Sequence, residues 1–192
     1  MRSRMLFVLA VAIGFGCARI LAGTDPFDED PFANPDWELH EPVAGAIYST
    51  GGGWWRVTLP AGANLDSWTT VDRAPKLRRD DMPEDFVIET RVRLLGSGDP
   101  DNPIWPPANE SYLAGLMVQF STFDLFHWGP YRGTTLRLER SGRNNLCEVA
   151  PNLQEVSLQV KKFRSTYTFS YRGTDDEAWI RVCDQVVDET AF

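Results

Sequence analysis

The sequence predicts an all-β protein in which two antiparallel sheets pack face to face as a sandwich. Segment 85–95 alternates apolar with charged residues, and segment 112–120 places apolar residues at every second position. A period of two residues is typical of a β-strand with one buried face. From residue 37 onward no segment sustains the 3.6-residue apolar period of an amphipathic helix. Long strands without helices favour stacked sheets that share a core.

The first 22 residues are predicted to be a secretory signal peptide. Arg2 and Arg4 precede an apolar run at 5–16, and small residues at 22–23 provide a cleavage site. The run is too short to span a bilayer comfortably. An uncleaved anchor and lipidation of Cys17 are the alternatives. The signal predicts a secreted, periplasmic or cell-surface protein without membrane insertion.

Residues 23–36 form a predicted acidic linker, which contains prolines and no basic residue. The whole chain has a formal net charge of −8, with 19 basic and 27 acidic residues. Three of the basic residues lie within 1–22, so the chain without that segment carries −11. Nucleic-acid binding requires clustered Lys and Arg, and this balance therefore argues against it.

Residues 37–192 are predicted to form one domain built from short strands. Turn segments rich in Gly, Pro and Asp separate them, notably 51–53, 96–100 and 141–142. The longest insertion, 96–109, is long enough to be a functional loop. The predicted strands are 37–41, 46–50, 54–59, 76–79, 86–95, 112–121, 125–129, 134–140, 155–163, 166–171 and 178–183.

Two cysteines, Cys147 and Cys183, follow the signal segment. An even number in an exported chain permits one disulfide, and each cysteine is expected at the end of a strand. Two free buried thiols are the alternative, because the sequence does not fix the separation of the Cα atoms.

Five segments in this order resemble a known family. They are GGGWWRV at 51–57, DSW at 66–68, APKL at 74–77, DFVIETRV at 85–92 and LAGLMV at 113–118. Over roughly residues 37–183 the chain resembles the concanavalin A-like lectin/glucanase superfamily, most closely bacterial modules similar to the C-terminal domain of β-xylosidases. The resemblance implies a jelly roll whose concave sheet often contacts carbohydrate. Its members include lectin-like modules, accessory domains and hydrolases, so the fold alone assigns no function.

The C-terminus departs from that pattern. Such domains usually close with a Phe-rich strand that pairs near the first, and residues 188–192 contain no such segment. The final strand is therefore predicted to be missing or replaced by the short piece Val186–Val187. Either case would expose a sheet edge.

Aromatic content favours non-catalytic binding of a polysaccharide or glycan. The chain has 7 Trp among 192 residues, and indole rings stack on the apolar faces of sugars while polar side chains bind the hydroxyls. Core packing is the alternative for each Trp. The predicted ligand-binding residues, expected to share one groove, are Trp54, Trp68, Glu89, Arg91, Gln119, His127, Trp128 and Arg137.

Catalysis is a weaker interpretation, and no catalytic residue is predicted. A glycosidase needs two carboxyl groups, whereas Glu89 is a single acid beside two arginines, Arg91 and Arg93. The alternative hydrolase pairs Glu89 with a loop acid such as Asp124. The chain's two histidines do not predict zinc, and no cofactor is predicted, although the acidic turns 99–102 and 175–177 leave calcium open. A third hypothesis is an adhesion module that binds protein through a sheet edge.

Overall fold

All regular elements of the described chain are β-strands, which confirms the predicted all-β class. The computed structural model describes residues 37–40, 44–51, 53–59, 67–68, 71–80, 82–93, 114–121, 123–131, 135–153, 155–173 and 175–188. The predicted signal, linker and loop (1–22, 23–36 and 96–109) lie outside these ranges. Within the ranges no helix is long and apolar enough to cross a membrane.

The described ranges contain fourteen strands. They are β1 (Glu38–His40), β2 (Ile47–Gly51), β3 (Trp54–Thr58), β4 (Ser67–Trp68), β5 (Val71–Asp72), β6 (Lys76–Arg78), β7 (Phe86–Arg93), β8 (Leu116–Ser121), β9 (Asp124–Tyr131), β10 (Thr135–Arg140), β11 (Arg143–Val149), β12 (Glu155–Phe163), β13 (Thr166–Arg172) and β14 (Ile180–Val186).

Two four-stranded antiparallel sheets contain most of these strands. Sheet S1 has the order β14-β13-β12-β7, and sheet S2 has the order β11-β10-β9-β8. Alternation decides which side of each strand is buried. In β12, Val156, Leu158 and Val160 are fully buried, whereas Lys161 is exposed.

The core lies between S1 and S2, because its buried side chains come from both sheets. The two sheets therefore form a β-sandwich. Aromatic rings meet edge to face across it, with centroids 5.3 Å apart for Phe126 and Phe169 and 5.6 Å apart for Phe126 and Tyr167. Such contacts add about 1 kcal/mol beyond burial. Each sheet thus has an inner face in the core and an outer face directed away from it.

Two glycines allow β8 and β9 to approach each other closely. A Cβ on Gly129 would lie 1.7 Å from the carbonyl oxygen of Ala114, and one on Gly115 would lie 2.3 Å from that of Trp128. Gly115 also has φ 136°, a conformation that other residues rarely adopt. The LAGLMV segment at 113–118 therefore depends on its glycine for backbone packing.

A disulfide joins Cys147 of β11 to Cys183 of β14, with the Cα atoms 6.5 Å apart. Both strands are edge strands, and the bond links S2 to S1 along the same side of the sandwich. On the opposite side the edge strands are β7 and β8. The crosslink therefore closes one side of the sandwich and leaves the other side to be covered by non-covalent contacts.

The cysteines lie within strands, so the prediction that each ends a strand was wrong. β14 continues to Val186, three residues beyond Cys183. Val187 is buried in the core, and its amide donates to the carbonyl oxygen of Ser165 at 2.9 Å. Val186 is therefore the last residue of β14 and Val187 follows it directly, so the two do not form a separate replacement strand.

Smaller paired strands lie outside the sandwich: β1 with β6, β2 with β3, and β4 with β5. Trp55 and Leu77 form a second buried cluster there, with partly buried residues packed around it. The separate cluster shows that β1, β2, β3 and β6 share their own apolar contacts.

Candidate functional site

The structure distributes the predicted ligand-binding residues over different surfaces. Glu89 and Arg91 lie on the outer face of S1, because their neighbours Ile88 and Val92 face the core. Gln119 alternates with core-facing Val118 and lies on the outer face of S2. The two outer faces point in opposite directions, so the predicted single groove is wrong.

Trp128 is a core residue, and the prediction of an exposed stacking platform there was wrong. Its side chain is 0% exposed. Its Nε1 donates to the carbonyl oxygen of Ser170 in S1 at 3.1 Å, which joins the two sheets. The sequence places Trp128 on an alternating strand, but alternation does not say which of the two faces meets the other sheet.

The outer face of S1 is occupied by internal polar contacts. Gln159 donates to Glu89 Oε1 at 2.6 Å across paired strands. Arg91 Nε lies 2.6 Å from Glu155, and the Arg91 guanidinium lies 5.1 Å from the centre of the Trp54 ring. Neighbouring side chains thus already bind three of the predicted ligand residues.

Trp54 and Trp55 are adjacent in β3, so their side chains point to opposite faces of the strand. Trp55 is buried in the second cluster, and Trp54 is only partly buried. Trp68 belongs to β4, and its side chain lies outside the described part of the chain.

Arg137 is also bound within S2. Its Nε donates to Glu148 Oε2 at 2.7 Å and its Nη1 donates to Glu139 Oε1 at 3.0 Å. The guanidinium lies 3.6 Å from the centre of the Tyr131 ring. The hydrogen bonds to the two carboxylates raise the pKa of Arg137 against the effect of its burial.

His127 faces outward from S2 but is not open to a ligand. Its side chain is only 1% exposed. Burial, together with the nearby charge of Lys76, lowers the pKa of His127 from 6.5 to about 3. The prediction of a ligand-facing histidine was therefore wrong, and the cover over this face was the feature that the sequence did not reveal.

The hydrolase alternative finds no support in the position of Asp124. Arg140 donates two hydrogen bonds to it, at 2.9 and 2.8 Å, and lowers the pKa of the Asp124 carboxyl. A general acid needs a raised pKa. Glu89, its supposed partner, lies on the outer face of S1.

A cleft runs along the open side of the sandwich, between β7 and β8. Residues 76–80 and 82–84, here called the strap, form one wall of it. The cavity has a volume of about 400 Å³. Apolar lining residues are Trp37, Leu77, Met82, Pro83, Phe86, Ile88, Met117, Val118, Phe120 and Tyr167, and polar ones are Lys76, Arg78, Arg79, Asp80, Glu84, Gln119 and Lys162.

The cleft combines an aromatic wall with hydrogen-bonding groups of both kinds. Trp37 provides an indole that is partly buried. Lys162 reaches from β12 to the strap and donates to the carbonyl oxygen of Glu84 at 2.6 Å. Arg78 and Asp80 form a weak ion pair of 3.5 Å at the exposed rim. Among the predicted ligand residues whose side chains the structure describes, Gln119 alone lines this cleft.

The cleft wall was not predicted because its residues are close only in the folded chain. Trp37 and the strap are separated in sequence by about forty residues and come together through the pairing of β1 with β6. No local period marks such a surface. Among the cleft residues, the sequence pointed to Gln119, because its alternation with apolar neighbours predicted a side chain on the outer face of β8.

Acidic residues do not form a recognisable metal site here. Within the described ranges, no group of three or more His, Cys, Asp or Glu side chains is placed to hold a metal ion. In the turn at 175–177, Asp175 accepts from Arg172 at 3.2 Å and Glu177 accepts from the Gly173 amide at 2.9 Å. The other turn considered for calcium, 99–102, lies outside the described residues.

Comparison with known proteins found no match to a family model, to a characterised protein or to a solved structure.

Proposed function

We propose that the protein is an exported, non-catalytic carbohydrate-binding module, with a concanavalin A-like jelly roll, that holds a glycan in the cleft beside Gln119. The observation that carries the proposal is the lining of this cleft. An indole, Trp37, stands in the same cavity as amide, guanidinium and carboxylate groups. Sugars require this combination, since they present both apolar C–H faces and hydroxyls.

The size of the cleft is consistent with a small saccharide unit. Its volume of about 400 Å³ falls in the lower part of the range for small-molecule sites, roughly 300–1,000 Å³. The cleft is open along the sandwich edge between β7 and β8, so a longer chain can extend beyond the bound unit. We therefore favour recognition of a segment of a polysaccharide.

Binding without catalysis fits the carboxyl groups of the cleft. Among the described lining residues these are Asp80 and Glu84. Both are exposed, Asp80 to 74%. A glycosidase acid keeps its proton at neutral pH through burial, and neither residue has such an environment.

The test is a glycan array, followed by titration of the best ligand against two matched glutamine variants. Gln119→Ala removes a side chain from the cleft, whereas Gln159→Ala removes one from the outer face of S1. We expect about tenfold weaker binding for Gln119→Ala, the cost of one or two hydrogen bonds of about 1 kcal/mol each. Gln159→Ala should bind as the wild type does.

Equal affinity of the Gln119→Ala and wild-type proteins would place the ligand elsewhere. Absence of binding to any glycan on the array would refute carbohydrate recognition itself. Release of reducing sugar would instead favour the hydrolase hypothesis.

Protein adhesion is a second candidate, supported by two exposed apolar side chains that flank Thr166 on the outer face of S1. Phe163, Thr166 and Val186 are register neighbours across β12, β13 and β14. Phe163 is 55% exposed and Val186 is 72% exposed. Concentration-dependent association that is lost in Val186→Lys, without glycan binding, would favour this function.

A further inference from the structure

A group of four titratable side chains, two of them buried and two partly exposed, includes residues of the strap and of S2. It comprises His40 of β1, Asp72 of β5, Lys76 of β6 and His127 of β9. Lys76 is 2% exposed and His127 is 1% exposed. Buried ionisable groups are costly unless they are paired, so the pairing within this group controls how firmly its elements hold together.

Asp72 is the centre of the paired part. Lys76 Nζ donates to Asp72 Oδ1, and His40 Nε2 lies 3.6 Å from Asp72 Oδ2. His40 and Lys76 are also register partners in the β1–β6 pair. One carboxylate thus links β1, β5 and β6, which gives the strap and its neighbours a common anchor.

His127 has no comparable partner. Its Nε2 is buried and makes no hydrogen bond to any described group. Its neighbours on the outer face of S2 are Met117 of β8 and Glu139 of β10. Met117 carries no charge, and Glu139 accepts a hydrogen bond from Arg137 at 3.0 Å.

Lys76 and Met117 line the same cleft, so the strap lies beside the part of the outer face of S2 where Met117 is the register neighbour of His127. The ammonium of Lys76 is close enough to His127 to disfavour a second positive charge there. The described charged groups around His127 are therefore Lys76 from the strap and the Arg137–Glu139 pair from β10. His40 and Asp72 act on it through Lys76.

We propose that His127 and Lys76 form an acid-sensitive latch, in which protonation of His127 releases the strap from S2 and opens one wall of the cleft. A neutral imidazole fits beneath the strap at neutral pH. A protonated one must either enter water or repel the buried ammonium, and both require the strap to move.

The direction of the pH dependence follows from the pKa of His127 in the closed and open states of the strap. When the strap is closed, burial holds the pKa of His127 near 3, and when His127 is exposed the pKa returns towards 6.5. The open state therefore binds the proton more tightly. Closure is favoured above about pH 6.5 and weakens progressively as the pH falls towards 3.

Hydrogen exchange of the full chain, corrected for intrinsic rates, measures the latch between pH 7 and pH 4. We expect protection of the backbone amides at 76–80 to fall at least tenfold, while the amides of β12 and β13 remain protected. In His127→Leu, which cannot take up a proton at this position, the strap should stay protected throughout this pH range. Gln159→Ala, on the outer face of S1 and away from the strap, is the control and should keep the wild-type pH profile.

The chain has only 2 histidines, so NMR resolves their imidazole signals even if the leucine variant does not fold. A His127 signal that titrates near 6.5 with the strap still protected would overturn the proposal. So would loss of strap and core protection at the same pH, or identical strap profiles for His127→Leu and the wild type.

Discussion

The Cys147–Cys183 disulfide provides the most direct test of how the sandwich is stabilised. The bond closes a loop with a sequence separation of 36 residues. In the chain-entropy model, a loop of this size restricts the unfolded chain by about 4 kcal/mol at 25 °C. Reducing the disulfide, or replacing both cysteines by alanine, should therefore lower the free energy of unfolding by that amount.

The position of the bond explains why non-covalent contacts cannot easily compensate. It joins the edge strands β11 and β14, which belong to different sheets. Both cysteines also pack against the core, so their removal loosens this side of the sandwich in the native state as well. A loss of about 4 kcal/mol corresponds to a fall of roughly 10 °C in Tm for a domain of this size.

Urea unfolding, followed by circular dichroism, compares the oxidised wild type, the reduced wild type and Cys147→Ala/Cys183→Ala. The reduced protein and the double variant should agree within about 1 kcal/mol, and the double variant should not respond to dithiothreitol. A destabilisation below about 1 kcal/mol for both would refute the loop-entropy reasoning.

Two further substitutions test the core and its edge. Trp128→Ala should lower the free energy of unfolding in urea by about 3–5 kcal/mol, because it opens a cavity and removes the hydrogen bond to Ser170. Trp54 is partly exposed, so Trp54→Ala should lower it less. Similar losses for the two variants would contradict the assignment of Trp128 to the core. Asp124→Asn should cost about 1 kcal/mol at pH 7 by weakening the pair with Arg140. Since the pKa of Asp124 is lowered in the folded state from 3.8, this difference should shrink as the pH falls below about 4, and a difference that persists at pH 2 would exclude an ionic origin.

Much of the fold was predictable because alternation is a local property. The strand predicted at 155–163 has those bounds in the structure. β11 was harder to recognise, since its register with β10 shifts between Leu138 and Arg140 where Asn145 adopts φ 45°. Such a bulge interrupts the two-residue period, and the period was the signal used.

The candidate site was less predictable for a different reason. Alternation along the strands correctly predicted that the side chains of Gln119 and His127 point away from the core of S2. It could not predict whether the outer face of S2 is open or covered at each position. His127 is buried, and Lys76 of the strap, from a distant part of the chain, is near enough to lower its pKa further. Gln119 lies in a cleft because the same strap stands beside it.

The sequence by itself determined the class of structure, since the identities of neighbouring residues decide whether a segment is a strand and which side of it is apolar. Only the tertiary structure decided which sheets face each other, what covers their outer surfaces and where a cavity remains. These depend on contacts between residues far apart in the chain, and hydrophobic burial, which drives them, has no preferred direction along the sequence.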